Sequence, residues 1–172
     1  MSVKKLTAEV LEKRLASVKL LSLDTDGVLT DGGVYFTDSG EELRKFNVKD
    51  GMGMKIAQAA GVQIVIITAS STPSICHRAT MLGVDHVFLG VEDKAQTLTT
   101  LCDELEISLD QVAHVGDDVN DIPVLNLVGV PLSVADAMPV ARNAACYITD
   151  RKGGGGAVRE ICDLIAAAKA GA

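Results

Sequence analysis

The chain has 172 residues, 48% apolar and 23% charged, a mix that excludes a largely disordered protein and leaves room for one domain. A net charge of −7 and only 3% aromatic residues exclude the basic stripe and the stacking platform of a nucleic-acid binder. No apolar run approaches the roughly 18 residues of a membrane span.

Residues 6–17 carry Leu6, Val10, Leu11 and Leu15 at helical spacing, with Glu, Lys and Arg between them. Residues 19–23 form a short apolar strand that ends at Asp24. Residues 34–36 and 43–46 flank Thr37-Asp38-Ser39-Gly40 and predict a hairpin. A helix is expected over 52–60, stopped by Gly61, then a β-branched strand over 63–67. Pro73 opens a helix that closes near Gly83. Strands are then expected at 87–89, 112–115, 128–132 and 147–149, with helices at 92–105, 119–127 and 136–144 between them. The glycine run 153–156 precedes a last helix over 157–169 and reads either as a slack connection or as a mobile segment reaching a neighbouring site. Apolar strands alternating with helices predict a Rossmann-like parallel sheet covered on both faces, in one domain over 1–172.

Cys76, Cys102, Cys146 and Cys162 are scattered, which argues against zinc or disulfides and for reduced, packed thiols. His77, His86 and His114 are scattered too and read as structural or surface residues. The opening Met1-Ser2-Val3-Lys4-Lys5 has no apolar signal core, so a cytoplasmic location is expected.

Ligands of parallel sheets bind beyond the carboxyl ends of the strands. Four such ends carry chemistry. The first holds Asp24-Thr25-Asp26-Gly27, two carboxylates at a turn. The second holds Thr68-Ala69-Ser70, whose hydroxyls can donate to phosphate oxygens. Lys94 follows the third, at a helix start where the dipole disfavours a cation. The fourth holds Gly116-Asp117-Asp118-Val119-Asn120-Asp121, whose three carboxylates repel one another unless a cation such as Mg²⁺ joins them. Each segment also admits a plain role: a turn, a helix cap, a solvated lysine, an acidic helix start.

In that order and placement the four segments resemble the haloacid dehalogenase superfamily of phosphohydrolases. Gly40-Glu41-Glu42-Leu43-Arg44-Lys45-Phe46-Asn47-Val48-Lys49-Asp50-Gly51 and Gly153-Gly154-Gly155-Gly156-Ala157-Val158-Arg159-Glu160 narrow the resemblance to the capless phosphatases of 3-deoxy-D-manno-octulosonate 8-phosphate, which make a sugar acid for lipopolysaccharide. It implies a Mg²⁺-dependent homotetramer hydrolysing a phosphorylated sugar acid, with Asp24 as nucleophile and Asp26 as general acid and base. It further implies that Thr68 and Lys94 hold the phosphoryl charge and that Asp24, Asp26, Asp117, Asp118 and Asp121 serve the metal. Sugar contacts are implied for Asn47, Val48, Lys49, Asp50, Gly51, Lys55, Ser70 and Arg78.

Three residues, at two places, depart from the family pattern. Ala69-Ser70 stand where Gly-Arg is usual, and Lys55 where Arg is common. A related specificity, for nonulosonate 9-phosphates, and a non-catalytic domain associated with a sugar-acid cytidylyltransferase are therefore the alternatives. A receiver-type signalling domain shares the residue types but not their order. Only 43 residues separate Asp24 from Thr68, and the hairpin takes part of them, so no separate cap fits. Cover from neighbouring subunits, with the 34–46 hairpin at the interface, is the expectation.

Overall fold

The computed structural model describes residues 6–172, so the expectation about a leader in the first five residues lies outside the described residues. Helix α1 (Ala8–Ser17) is capped by Thr7 and leads into β1 (Leu20–Leu23). A two-stranded antiparallel hairpin follows, β2 (Tyr35–Phe36) and β3 (Glu42–Leu43), then α2 (Val48–Ala59). Next come β4 (Gln63–Ile67), α3 (Pro73–Leu82), β5 (His86–Phe88) and α4 (Lys94–Glu104). The chain continues through β6 (Val112–Gly116), α5 (Ile122–Leu125), β7 (Val130–Ser133), α6 (Pro139–Ala144), β8 (Tyr147–Ile148) and α7 (Ala157–Ala170).

The main sheet runs β5-β4-β1-β6-β7-β8 with every pairing parallel, as the strand–helix alternation requires. β1 is central, with Leu23 opposite Ile66 of β4 on one side and Val115 of β6 on the other. Its side chains alternate between two cores. Leu21 and Leu23 join Met54 of α2 and Ile161 and Ile165 of α7 on one face, whereas Leu20 joins Leu98 and Leu101 of α4 on the other. Strands buried on both faces must be apolar throughout, so Ser22 and His114 interrupt β1 and β6 conspicuously. They stand directly opposite each other in the register.

Several boundaries differ from the sequence reading, each for a local reason. α2 starts four residues before the expected 52, because the Asn47 side chain accepts the Lys49 N–H at 2.8 Å and caps it there. Segment 44–46 leaves the hairpin ladder, and Arg44 turns inward. The expected helix 119–127 is a 3-10 turn over Val119–Asp121 followed by the single turn of α5, the change falling next to Pro123. α6 begins at Pro139 rather than 136.

The glycine run is not slack, because Gly153 and Gly154 pack against their own chain. Gly154 donates to the Val28 carbonyl at 3.0 Å and Gly153 to the Asp136 carboxylate at 2.9 Å. A Cβ at Gly153 would overlap the Gly27 carbonyl, so only glycine lets this loop lie against the turn after β1. The four cysteines are free; Cys102, Cys146 and Cys162 are buried and Cys76 is exposed.

Candidate active site

Parallel strands bring their carboxyl ends to one edge. With β1 between β4 and β6, Asp24 stands between Thr68 and Asp117. Asp24, Asp26, Thr68, Ser70, Asp117 and Asp118 line one cavity of about 260 Å³ at that edge. Asp24 and Thr68 are buried. Gly27 has φ +81°, and a Cβ there would overlap the Asp117 carboxylate, so glycine is what allows the turn to close over the acidic group.

Beneath the cavity lies a buried charge network. Lys94 Nζ sits 2.9 Å from Asp24 Oδ1 and 2.7 Å from Asp121 Oδ1. Burial opposes the lysine's charge, but Asp24 and Asp121 outweigh it and raise its pKa. The dipole conflict seen at the start of α4 is thereby resolved: its first residue faces two carboxylates, and Asp93 caps the helix by accepting the Gln96 N–H at 2.9 Å. Asp121 Oδ2 accepts the backbone N–H groups of Asp117 at 3.0 Å and Asp118 at 3.4 Å, which fixes the loop after β6. Behind it, Ser22 Oγ contacts His114 Nδ1 at 3.0 Å, and His114 Nε2 lies 3.4 Å from Asp121 Oδ1. Burial pushes the Asp121 carboxyl up, but His114 and Lys94 override it and hold it well below the usual carboxylate range.

Oxygens of Asp24, Asp117 and Asp121 lie within 4.8 Å of one another. Burial, and then the charge of Asp121, push the Asp24 carboxyl up to about 7; burial with Asp121 and Asp118 pushes Asp117 to about 7. One lysine does not balance three clustered carboxylates. The set is all hard oxygen, with Asp24 and Asp117 at the wall of an open cavity and Asp121 buried behind it, which fits a Mg²⁺ ion that retains several waters. The other two metal candidates differ. The Asp118 carboxylate accepts the Val119 N–H at 2.7 Å and caps the 3-10 turn. The Asp26 carboxylate is held by Arg44, whose Nε and NH2 donate to its two oxygens at 2.7 and 3.0 Å.

Of the eight expected sugar contacts, Ser70 alone lines this cavity. Asn47 donates to the Gly154 carbonyl at 3.0 Å, and Arg78 donates to the Asn47 carbonyl at 3.2 Å. Asp50 is buried and accepts the Arg159 N–H at 2.8 Å, tying α2 to the start of α7. Burial raises its carboxyl pKa. A Cβ on Gly51 would collide with the Arg78 guanidinium, so this position serves close packing of α2 on α3. Val48, Lys49 and Lys55 are exposed.

The residues that the sequence reading left without a role are Arg44, Glu42, Thr72, Ser22 and His114. The signal for the last two was present, as polar residues at matched places in two apolar strands. Nothing local marks Arg44, because its partners Asp26 and Thr72 lie 18 and 28 positions away.

An acidic cluster around a buried lysine at the carboxyl edge of a parallel sheet defines a class, and the comparisons agree with it. Residues 87–161 match the model of a haloacid dehalogenase-like hydrolase family. The chain is 42% identical over 159 residues to the 3-deoxy-D-manno-octulosonate 8-phosphate phosphatase of Escherichia coli K12, covering 92% of this chain and 84% of that one. The enzyme of that name from Yersinia pestis superposes with TM-score 0.93 at 39% identity, over 99% of this chain and 92% of that one. The Moraxella catarrhalis enzyme, solved with a magnesium ion, a phosphate ion and a KDO molecule, superposes with TM-score 0.93 at 34% identity, over 95% and 94% of the two chains. The chain is a phosphatase of the haloacid dehalogenase-like hydrolases and belongs to the family of these 3-deoxy-D-manno-octulosonate 8-phosphate phosphatases.

Proposed function

We propose that this chain, working as one domain over 1–172, hydrolyses the phosphomonoester of a sugar acid, 3-deoxy-D-manno-octulosonate 8-phosphate, with Mg²⁺. The observation that carries the proposal is the convergence of Asp24, Asp117 and Asp121 oxygens within 4.8 Å, with Asp24 and Asp117 lining the cavity. Asp24 attacks phosphorus and the ester P–O bond breaks, leaving an aspartyl phosphate. Asp26 gives a proton to the departing sugar oxygen. Water then attacks the same phosphorus, loses a proton to Asp26, and frees Asp24 and inorganic phosphate. Asp24 and Asp117 would hold Mg²⁺, which supplies positive charge where a carboxylate and a phosphate dianion must meet. Lys94 fixes the attacking carboxylate through its 2.9 Å contact, and Asp121 braces both Lys94 and the loop of Asp117. Thr68 and Ser70 offer hydroxyls to the phosphoryl oxygens. Such transition states are loose, so positioning and charge account for most of the rate.

The test is phosphate release from the octulosonate 8-phosphate with and without Mg²⁺, with nonulosonate 9-phosphates and an aryl phosphate alongside. Turnover of none of them, or an Asp24→Asn variant as fast as wild type, overturns the proposal.

The assembly we infer is a cytoplasmic homotetramer covering its sites across subunits. The hairpin supports it: Val34, Tyr35, Phe36 and Leu43 are 46%, 52%, 69% and 52% exposed, an apolar group without a core of its own. Light scattering of wild type and Phe36→Glu tests this; a wild-type monomer at full activity contradicts it.

A further inference from the structure

Arg44 follows β3 directly, yet its side chain is only 4% exposed, while those of its partners Asp26 and Glu42 are 36% and 32% exposed. A guanidinium shut away beside half-open carboxylates marks a built joint rather than a surface ion pair. Its fork is aimed at Asp26, with Nε on one carboxylate oxygen at 2.7 Å and NH2 on the other at 3.0 Å. The remaining nitrogen is anchored on the far side. NH1 donates to Glu42 Oε1 and, at 2.6 Å, to Thr72 Oγ1. Thr72 in turn donates to Glu42 Oε2 at 3.0 Å and accepts from Ser70 Oγ at 3.1 Å. One side chain therefore joins the turn after β1, the hairpin and the loop after β4. Thr30 Oγ1 adds a 3.4 Å contact to Asp26 Oδ1, too long to orient the carboxylate alone.

We infer that Arg44 is a positioning residue that sets the Asp26 carboxylate in the plane from which it serves the leaving oxygen. The hairpin is then part of the catalytic apparatus as well as a candidate interface. A bidentate fork fixes both the place and the plane of a carboxylate, which a lysine or a water cannot do. An error of about 1 Å at such a group costs on the order of 100-fold in rate. The inference rests on the acid–base reading of Asp26 given above.

The experiment compares substrates that differ in their need for an acid. An alkyl ester such as the sugar-acid phosphate needs its leaving oxygen protonated; p-nitrophenyl phosphate leaves as a stable phenolate. Hydrolysis of the aspartyl phosphate is common to both and enters kcat, whereas kcat/KM covers only the steps through departure of the leaving group, so the alkyl-to-aryl ratio of kcat/KM isolates the proton delivered to it. Arg44→Met is expected to lower that ratio by about 100-fold. Arg44→Lys keeps charge without the fork and should fall between, and it stands in should Arg44→Met fail to fold. Asp26→Asn should lower the ratio at least as far, and Asp26→Asn combined with Arg44→Met no further. If the Arg44 variants lower kcat/KM of both substrates equally, or of neither, while Asp26→Asn retains its selectivity, Arg44 does not position Asp26. If Asp26→Asn itself shows no selectivity, the acid–base reading fails and the inference falls with it.

Discussion

Lys94→Met tests whether the buried charge network is balanced as the structure indicates. The lysine is buried, and its ammonium lies 2.9 Å from Asp24 and 2.7 Å from Asp121, which are themselves buried. Methionine keeps an unbranched apolar stem, so packing is largely conserved while the cation is lost. Removing one partner of a buried pair typically costs about 3–5 kcal/mol, because the charges left behind cannot be solvated. Here two carboxylates are left, and they face each other. Asp24 is already pushed up to about 7 by burial and by Asp121 with Lys94 in place, so its loss raises Asp24 further. A carboxyl whose folded pKa exceeds its unfolded value binds its proton more tightly when folded, and stability falls as pH rises between the two. The variant should therefore lose stability at about pH 5.5, where Asp121 has lost its buried cation, and more at about pH 8, where Asp24 must ionise as well. Mg²⁺ should restore part of the loss at the higher pH by replacing the missing positive charge. Urea unfolding at the two pH values, in EDTA and in Mg²⁺, measures this. An equal loss in all four conditions would refute the coupling of Lys94 to Asp24.

Two further outcomes follow from the same geometry. Asp24 and Asp117 are both pushed to about 7, so binding Mg²⁺ below that pH must displace protons. The Mg²⁺-induced rise in melting temperature should grow from pH about 6 to 8, and a pH-independent rise would place the ion elsewhere. Gly153→Ala puts a Cβ into the Gly27 carbonyl and should cost about 1–3 kcal/mol, with a fall in kcat because the turn carrying Asp26 must shift. Calorimetry and kinetics on the purified variant would show both, and a wild-type kcat would disconnect the glycine loop from the site.

Much of the site was legible because parallel sheets export chemistry to strand ends. Asp24, Thr68, Lys94 and Asp117 each follow an apolar strand, and a lysine in a helix's first turn is a conflict that local sequence reveals. Asn47, Asp50 and Arg78 were less legible. Their residue types suit a sugar-binding strip, but only packing reveals that Asn47 and Asp50 join α2 to the glycine loop and α7.

The sequence by itself determined the alternation of strands and helices, the four reactive strand ends, the hairpin between the first two, and the need for a cation among the acids. Those follow from periodicity, turn chemistry and like-charge repulsion, all of which act over a few residues. The tertiary structure alone decided which carboxylates converge on one another and which turn to other partners. Asp26 and Asp118 look equivalent to Asp24 and Asp117 along the chain. One is clamped by Arg44, 18 positions away, and the other caps its own turn. It also decided that the glycine run packs against the turn after β1, because close approach of two backbones is a property of the folded layers and leaves no mark beyond the absence of side chains.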